Sequence, residues 1–175
     1  MNRTQQLDSV LSQSNVEEHK DGRVWYPEAH AYLLELSKEF GVSIEKVCGI
    51  CAALSPLKSW PVNKNITRSY LEGKRNIHTK LQVSKCDWIM RGDDIEQCLG
   101  GLKTINFFRN LLNPPDPNYC TIDRHMLWMF DERPSLTPKK YNSLKSIMID
   151  YAKVNKWVTS ELQAVTWLTV KRIKL

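Results

Sequence analysis

Apolar residues recur at helical spacing along most of this 175-residue chain, and no segment alternates apolar and polar residues with period two for long. One apolar stripe follows Pro27 and ends at Gly41, which predicts a helix that begins at the proline and stops at the glycine. A second stripe follows Ser43, a residue type that favours helix N-caps. The pattern predicts an all-α fold.

The length of the chain suits one domain, or two small lobes around one cleft, with a sizeable core. No apolar run is long enough to span a membrane, and Met1–Gln13 lacks a signal-peptide pattern. We therefore expect a soluble, intracellular protein that is cytoplasmic, binds no membrane and acts as a monomer.

The net charge of +6 is concentrated in one part of the sequence, which we call the basic window. Between Lys58 and Arg91, eight basic residues are opposed only by Glu72 and Asp87, so the window alone carries a net charge of +6. Basic residues interleaved with aromatic ones are typical of a nucleic-acid interface. The candidate contacts are Lys58, Trp60, Lys64, Arg68 and Lys74, with Trp60 expected in a loop where it could stack on a base. A solvated helical face on an ordinary basic protein is the alternative.

The five cysteines are odd in number and irregularly spaced, which argues for reduced thiols. Cys48 and Cys51 have the spacing of a zinc or redox pair, but Cys51 falls on an apolar helical stripe and no second such pair exists. We therefore expect core thiols and no metal site.

The stretch from Leu99 to His125 combines a glycine pair, a lysine, a proline-rich loop and an aspartate. Gly100 and Gly101 permit a tight turn with positive φ, in which backbone amides can bind an anion. Lys103 would lie in the first turn of the next helix, where the helix dipole favours phosphate and disfavours an ammonium. It is therefore a candidate nucleophilic amine. Asp123 would cap a later helix and could return close to the lysine.

Two pieces of the sequence resemble the helix-hairpin-helix DNA glycosylases of the endonuclease III type. GLKTINFFRN followed by TIDRH is similar to that family's Gly-rich hairpin, its G-x-K-T-x-N-x-x-x-N helix and its Val-Asp-Thr-His segment. LSPLKSWPVNKNITRSY, at Leu54–Tyr70, is similar to the family's Leu-Ser…Val-Asn-Lys helix pair. In matching order the resemblance covers roughly residues 43 to 131.

The resemblance implies a compact, two-lobed, all-α glycosylase-like fold, with lobes of roughly residues 43–113 and 1–42 plus 114–175. Because no cysteine follows Cys120, we expect this fold to lack an iron–sulfur cluster. The resemblance also implies a DNA base glycosylase with an abasic-site lyase step, which flips a modified or damaged base into a cleft. Lys103 would form the Schiff base and Asp123 would be the catalytic carboxylate, supported by His125 and Asn106. The implied chemistry requires no metal or organic cofactor.

Three features depart from the family's pattern. The hairpin is about one residue shorter than L-P-G-V-G, Ser55-Pro56-Leu57 lacks the glutamine that fills the duplex gap, and no cysteine follows Cys120. Two other functions therefore stay open. Phage enzymes that tailor hypermodified thymine in DNA resemble the same fold, and some carry T-I-D-R-H. A non-catalytic module that binds nucleic acid or nucleotide is the other alternative.

Overall fold

The computed structural model describes residues 1–133 and 135–174. All regular secondary structure in these residues is helical, with no strand, which confirms the all-α prediction. The helices of the described residues are α1 (Arg3–Ser12), α2 (Val16–Phe40), α3 (Ile44–Leu54), α4 (Trp60–Leu71), α5 (Lys80–Arg91), α6 (Ile95–Leu99), α7 (Leu102–Leu112), α8 (Arg124–Met129), α9 (Pro138–Val154) and α10 (Thr159–Ile173).

The helices belong to two compact units. The terminal unit consists of Met1–Glu28 and Asn113–Leu175, and the central unit of Ala29–Leu112. The division falls within α2, so this helix contributes its first half to one unit and its second half to the other. The predicted organisation of the chain as one domain with two lobes stays a prediction.

Helix α3 is the core of the central unit. Its N-cap is Ser43, as predicted, and the Ser43 side chain accepts a hydrogen bond from the Lys46 amide. Every residue from Val47 to Leu54 is buried, because α4, α5, α6 and α7 all pack against this helix. A Cβ atom on Gly49 would lie 2.8 Å from Cγ2 of Ile95, so α6 approaches α3 as closely as a glycine allows. This part of α3 is apolar on all sides, as expected of a helix that is buried on all sides.

Helix α10 is the core of the terminal unit. It packs against α1, α8 and α9, and Leu162, Val165 and Val170 are buried in it. The first half of α2 also touches it, since a Cβ atom on Gly22 would lie 2.5 Å from Cγ2 and 2.7 Å from the backbone nitrogen of Val165. Glycine therefore allows the two helix backbones to come into contact.

The expectation that Pro27 begins a helix is wrong, because α2 starts at Val16 and contains the proline. The Asn15 side chain accepts from the Glu18 amide at 2.8 Å and the Glu18 carboxylate accepts from the Asn15 amide at 3.0 Å, so the helix starts with a capping box. Glu18 also pairs with Arg172 on α10, and that guanidinium lowers the pKa of the carboxyl. These contacts offset the backbone hydrogen bond that a proline inside a helix loses. The end of the stripe at Gly41 is confirmed, since α2 stops at Phe40 and Gly41 has a φ of 64°.

Among the described residues, none of the helices is both long enough and apolar enough to cross a membrane.

Candidate functional site

The turn between α6 and α7 is the predicted glycine hairpin. Gly100 adopts the left-handed conformation with a φ of 72°, and its amide donates to the Glu96 carbonyl at 2.9 Å. Gly101 has no positive φ, contrary to the expectation for the pair. Its carbonyl accepts from the Ile105 amide and the Thr104 hydroxyl, each at 3.0 Å, which starts α7. One left-handed glycine is enough to reverse the chain here.

Two side chains fasten this turn within the central unit. The Arg109 guanidinium of α7 donates to the Glu96 carboxylate of α6 at 2.5 Å, which ties the two helices across the turn. The Lys85 ammonium of α5 donates to the Leu99 carbonyl at 2.8 Å, and so satisfies an acceptor at the end of α6. The turn is therefore held at a fixed position relative to α5.

Lys103 is the second residue of α7, so the prediction that it lies in the first helical turn is confirmed. Its side chain is exposed and makes no hydrogen bond or ion pair with another described residue. The first amides of a helix lack acceptors within the helix, and the positive end of the helix dipole lies there. An exposed amine beside such amides can contact an anion such as a DNA phosphate.

Asn106 lies one turn further along α7 and is buried. Its side-chain amide donates to the Leu102 carbonyl at 2.8 Å, a contact within the helix itself. The supporting role predicted for Asn106 at the site stays a prediction.

Asp123 caps α8, as predicted. One carboxylate oxygen, Oδ1, accepts from the amides of His125 at 2.9 Å and Met126 at 3.1 Å. The other, Oδ2, accepts from the indole nitrogen of Trp167 on α10 at 2.9 Å. The two oxygens are thus held by different helices of the terminal unit, which fixes the orientation of the carboxylate.

The segment in front of Asp123 is fixed by two buried tyrosines that sequence reasoning missed. The Tyr141 hydroxyl donates to the Cys120 carbonyl at 3.1 Å and accepts from the Ile122 amide at 3.0 Å. The Tyr26 hydroxyl donates to Oγ1 of Thr121 at 3.3 Å. Burial raises the pKa of both tyrosines, so they stay protonated and able to donate. No spacing in the sequence indicated these contacts, because their partners are remote along the chain.

His125 follows Asp123 closely in sequence, and its imidazole contacts two indole rings. Its imidazole centroid is 4.8 Å from that of Trp128 and 5.8 Å from that of Trp167, with interplanar angles of 88° in both cases. Its backbone amide donates to Oδ1 of Asp123. The supporting role predicted for this residue stays a prediction.

Lys103 belongs to the central unit and Asp123 to the terminal unit. The structure defines the surroundings of each side chain, and the pairing of the amine with the carboxylate in one cleft stays a prediction.

Ion pairs divide the basic window into two kinds of cation. Arg68 donates to both carboxylate oxygens of Glu39, at 2.8 and 2.6 Å, and Lys74 contacts Glu72 at 3.0 Å. Arg75 and Arg91 are likewise paired with aspartates. Lys58 and Lys80, in contrast, are exposed and form no ion pair with a described residue. The net charge of the window therefore overstates the charge that Arg68 and Lys74 can offer a phosphate.

Trp60 was expected in a loop but is the first residue of α4, because Pro61 favours the start of a helix there. It is half-buried, and its ring meets that of Tyr32 edge to face with centroids 6.5 Å apart. The Lys64 ammonium lies 5.3 Å from the Tyr32 centroid and 5.8 Å from that of Trp60. These two predicted contacts thus form one cation–aromatic group.

The loop between α3 and α4 presents an unusual leucine. Leu57 is 97% exposed and has a φ of 60°, a left-handed conformation that side chains with a Cβ rarely adopt. The neighbouring Pro56 carbonyl lies 3.3 Å from Nε2 of His78, and the Thr79 amide donates to Nδ1 of the same ring at 2.8 Å. The imidazole thereby joins the Leu57 loop to the start of α5. Lys58 and Lys80 each follow directly on one of these two joined segments.

Cys48 and Cys51 are core thiols, as predicted. Four of the five cysteines are buried and all are free: Cys48, Cys51, Cys86 and Cys120 are buried and Cys98 is half-buried. Burial raises the pKa of Cys51 and of Cys86 to about 12, so both stay protonated. Within the described ranges, no three histidine, cysteine or acidic side chains come together as a metal site.

Sequence comparison identifies the family of this chain. The family of unknown function DUF7178 matches residues 2–174. The chain belongs to this family. No curated protein and no solved structure matches it.

The two hairpin glycines give a matched pair of substitutions. Gly100→Ala should lower the free energy of unfolding by about 1–2 kcal/mol, because alanine is strained at a φ of 72°. Gly101→Ala should be close to neutral, since its added Cβ would meet only the Thr104 hydroxyl, at 3.4 Å. Urea denaturation of the two variants measures the difference. Equal midpoints would contradict the left-handed turn at Gly100.

Proposed function

We propose that this protein is a DNA base glycosylase with an abasic-site lyase step, built on the two-lobed helix-hairpin-helix fold. The observation that carries the proposal is the turn from α6 through Gly100 and Gly101 into α7, with exposed Lys103 in the first turn of α7. This is the local structure that the glycosylase resemblance requires at the catalytic lysine. A pure binding module would gain little from adding a rigidly held carboxylate such as Asp123.

The proposed chemistry uses the two side chains in sequence. Asp123 stabilises the positive charge that develops at the sugar C1′ as the base departs. The amine of Lys103 attacks C1′, the N-glycosidic bond breaks, and the base leaves with a proton from the attacking nitrogen. Protonation of O4′ opens the sugar and leaves an iminium between C1′ and the lysine. Loss of a C2′ proton then expels the 3′-phosphate, and water hydrolyses the iminium to regenerate the amine.

The geometry around Asp123 suits an electrostatic role. A group that stabilises a developing charge acts best when it is oriented before the reaction begins. Trp167 and the first-turn amides of α8 hold the Asp123 carboxylate in one orientation, and the tyrosine contacts hold the segment that leads to it. The same contacts place the carboxylate at the half-buried end of a helix, which a sugar can approach.

Leu57 supports a grip on duplex DNA. Proteins that distort or open a duplex commonly insert an apolar side chain between base pairs. Leu57 is fully exposed on a loop whose backbone is tied to His78, with Lys58 next to it in sequence. A leucine there could occupy the gap left by a flipped nucleotide, in place of the glutamine that the loop lacks.

Reductive trapping tests the role of Lys103. Wild-type protein treated with borohydride on an oligonucleotide that contains one abasic site should form a covalent protein–DNA adduct, because borohydride reduces the iminium. Lys103→Ala should abolish the adduct, whereas Lys38→Ala, a change of another exposed lysine in the central unit, should leave it intact. Adduct mass on a denaturing gel is the readout. Persistent trapping by Lys103→Ala would assign the amine elsewhere.

Asp123→Asn separates base release from the trapping of an abasic site. Asparagine also caps helices, so the fold should survive. Loss of the charge should slow base release by about a hundred- to a thousandfold, but an abasic site no longer needs that step and should still be trapped. Base release at the wild-type rate would remove Asp123 from the chemistry.

The ion pairs of the basic window predict which cations bind phosphate. Replacing Lys58 and Lys80 with alanine should reduce the salt dependence of duplex binding by about one unit of log–log slope for each phosphate that no longer has a cation. Replacing Arg68 and Lys74 should reduce it less, since Glu39 and Glu72 already neutralise them. Affinity measured across a salt series distinguishes the two double variants. A larger change for the Arg68 and Lys74 pair would contradict this assignment.

A further inference from the structure

The terminal unit carries a cluster of exposed tryptophan and basic side chains that the proposed chemistry does not use. Trp128 on α8 is 38% exposed, which is a large fraction for an indole. Trp167 on α10 is half-buried, and the His125 imidazole meets both indoles edge to face. The bond from Trp167 to Asp123 fastens α10 to the start of α8, so the two indoles keep their separation. We call His125, Trp128 and Trp167, together with the basic residues Arg124 and Lys171, the indole cluster.

Each indole of the cluster has a cation from its own helix. The Arg124 guanidinium lies 6.0 Å from the Trp128 ring centroid, and the Lys171 ammonium lies 5.0 Å from that of Trp167. Both cations are four residues from their indole, the spacing that places side chains together on a helix. Both are exposed, and neither forms an ion pair with a described residue. Asp123, which lies next to Arg124 in sequence, already accepts three hydrogen bonds.

The chemistry of this surface selects its ligand. Flat aromatic rings next to unpaired cations bind a polyanion that also presents flat rings, and an unpaired nucleic-acid strand has both. A duplex hides its base faces within the stack and presents only phosphates, sugars and base edges. An apolar peptide would leave Arg124 and Lys171 without partners.

We infer that the indole cluster binds an unpaired DNA strand, with Trp128 stacking on a base and Arg124 and Lys171 contacting the flanking phosphates. The choice of DNA over RNA rests on the proposed function, but the stacking surface does not require any catalytic step. The cluster would hold the strand next to Asp123 and so define a single-stranded or opened substrate.

Fluorescence anisotropy with two labelled oligonucleotides of equal length tests the inference. One is oligothymidylate and the other has the same phosphates with a stable abasic sugar at every position. Wild-type protein should bind oligothymidylate about tenfold or more tightly than the base-free strand, because each stacked base contributes to affinity. Equal affinity for the two strands would overturn the inference.

Variants assign the effect to the cluster. Trp128→Ala should weaken oligothymidylate binding by about 5- to 100-fold and leave binding of the base-free strand unchanged, whereas Trp128→Phe should retain most of the affinity. Trp88→Ala is the matched control, since Trp88 is 37% exposed and no cation stacks on it in the described part of the chain. Arg124→Ala and Lys171→Ala should weaken the binding of both strands to the same extent. Full affinity in Trp128→Ala, or an equal loss in Trp88→Ala, would overturn the assignment.

The assay contains no excisable lesion, so it reports binding alone. Loss of borohydride trapping together with intact stacking would remove the proposed glycosylase and keep the surface. Intact trapping together with equal affinity for the two strands would keep the proposed glycosylase and remove the stacking surface.

Discussion

The rest of the proposed site depends on how the Asp123 carboxylate is held. Asp123 is the N-cap of α8, and its carboxylate accepts a hydrogen bond from the Trp167 indole of α10. The same carboxylate supplies the negative charge that the proposed chemistry needs. A carboxylate held by three donors loses little freedom when a substrate arrives, because its orientation was fixed during folding. The structural and chemical roles are therefore compatible. Their common cause is that an N-cap places an acidic side chain at the positive end of a helix, rigid and only half-buried.

The positive charge that the basic window presents to a ligand depends on its ion pairs as well as on its net charge. The basic window is strongly cationic in sequence, yet its arginines are matched by carboxylates that lie close in the fold, one of them Glu39 on α2. Such exposed pairs contribute little to stability, but they reduce the field that a phosphate would meet. Lys58 and Lys80 keep their full charge, and both adjoin the loop that displays Leu57. We therefore place the proposed contact with a DNA backbone at this part of the central unit.

Hydrophobic periodicity and capping preferences predicted the features that depend on neighbouring residues in the sequence. The all-α class, the Ser43 and Asp123 caps, the left-handed Gly100 and the position of Lys103 in its helix follow from periodicity and capping preferences within a few residues. The start of α2 was missed because Asn15 and Glu18 form a capping box upstream and remote packing outweighs the cost of Pro27. The contacts of Trp167 with Asp123 and of Arg68 with Glu39 join residues far apart in sequence. One amino-acid sequence, taken without its fold, does not indicate such contacts.

Mass spectrometry of reaction products tests most directly whether the protein cuts the bond between a base and its sugar. DNA carrying normal, damaged or hypermodified bases is incubated with the wild-type protein, and both the small molecules and the DNA are analysed. We expect a free base from at least one substrate, with an abasic site or a strand break at the same position. A mass change on a base with its sugar bond intact would contradict the proposed glycosylase in favour of thymine tailoring. DNA left unchanged across the whole panel would contradict any base-directed enzyme.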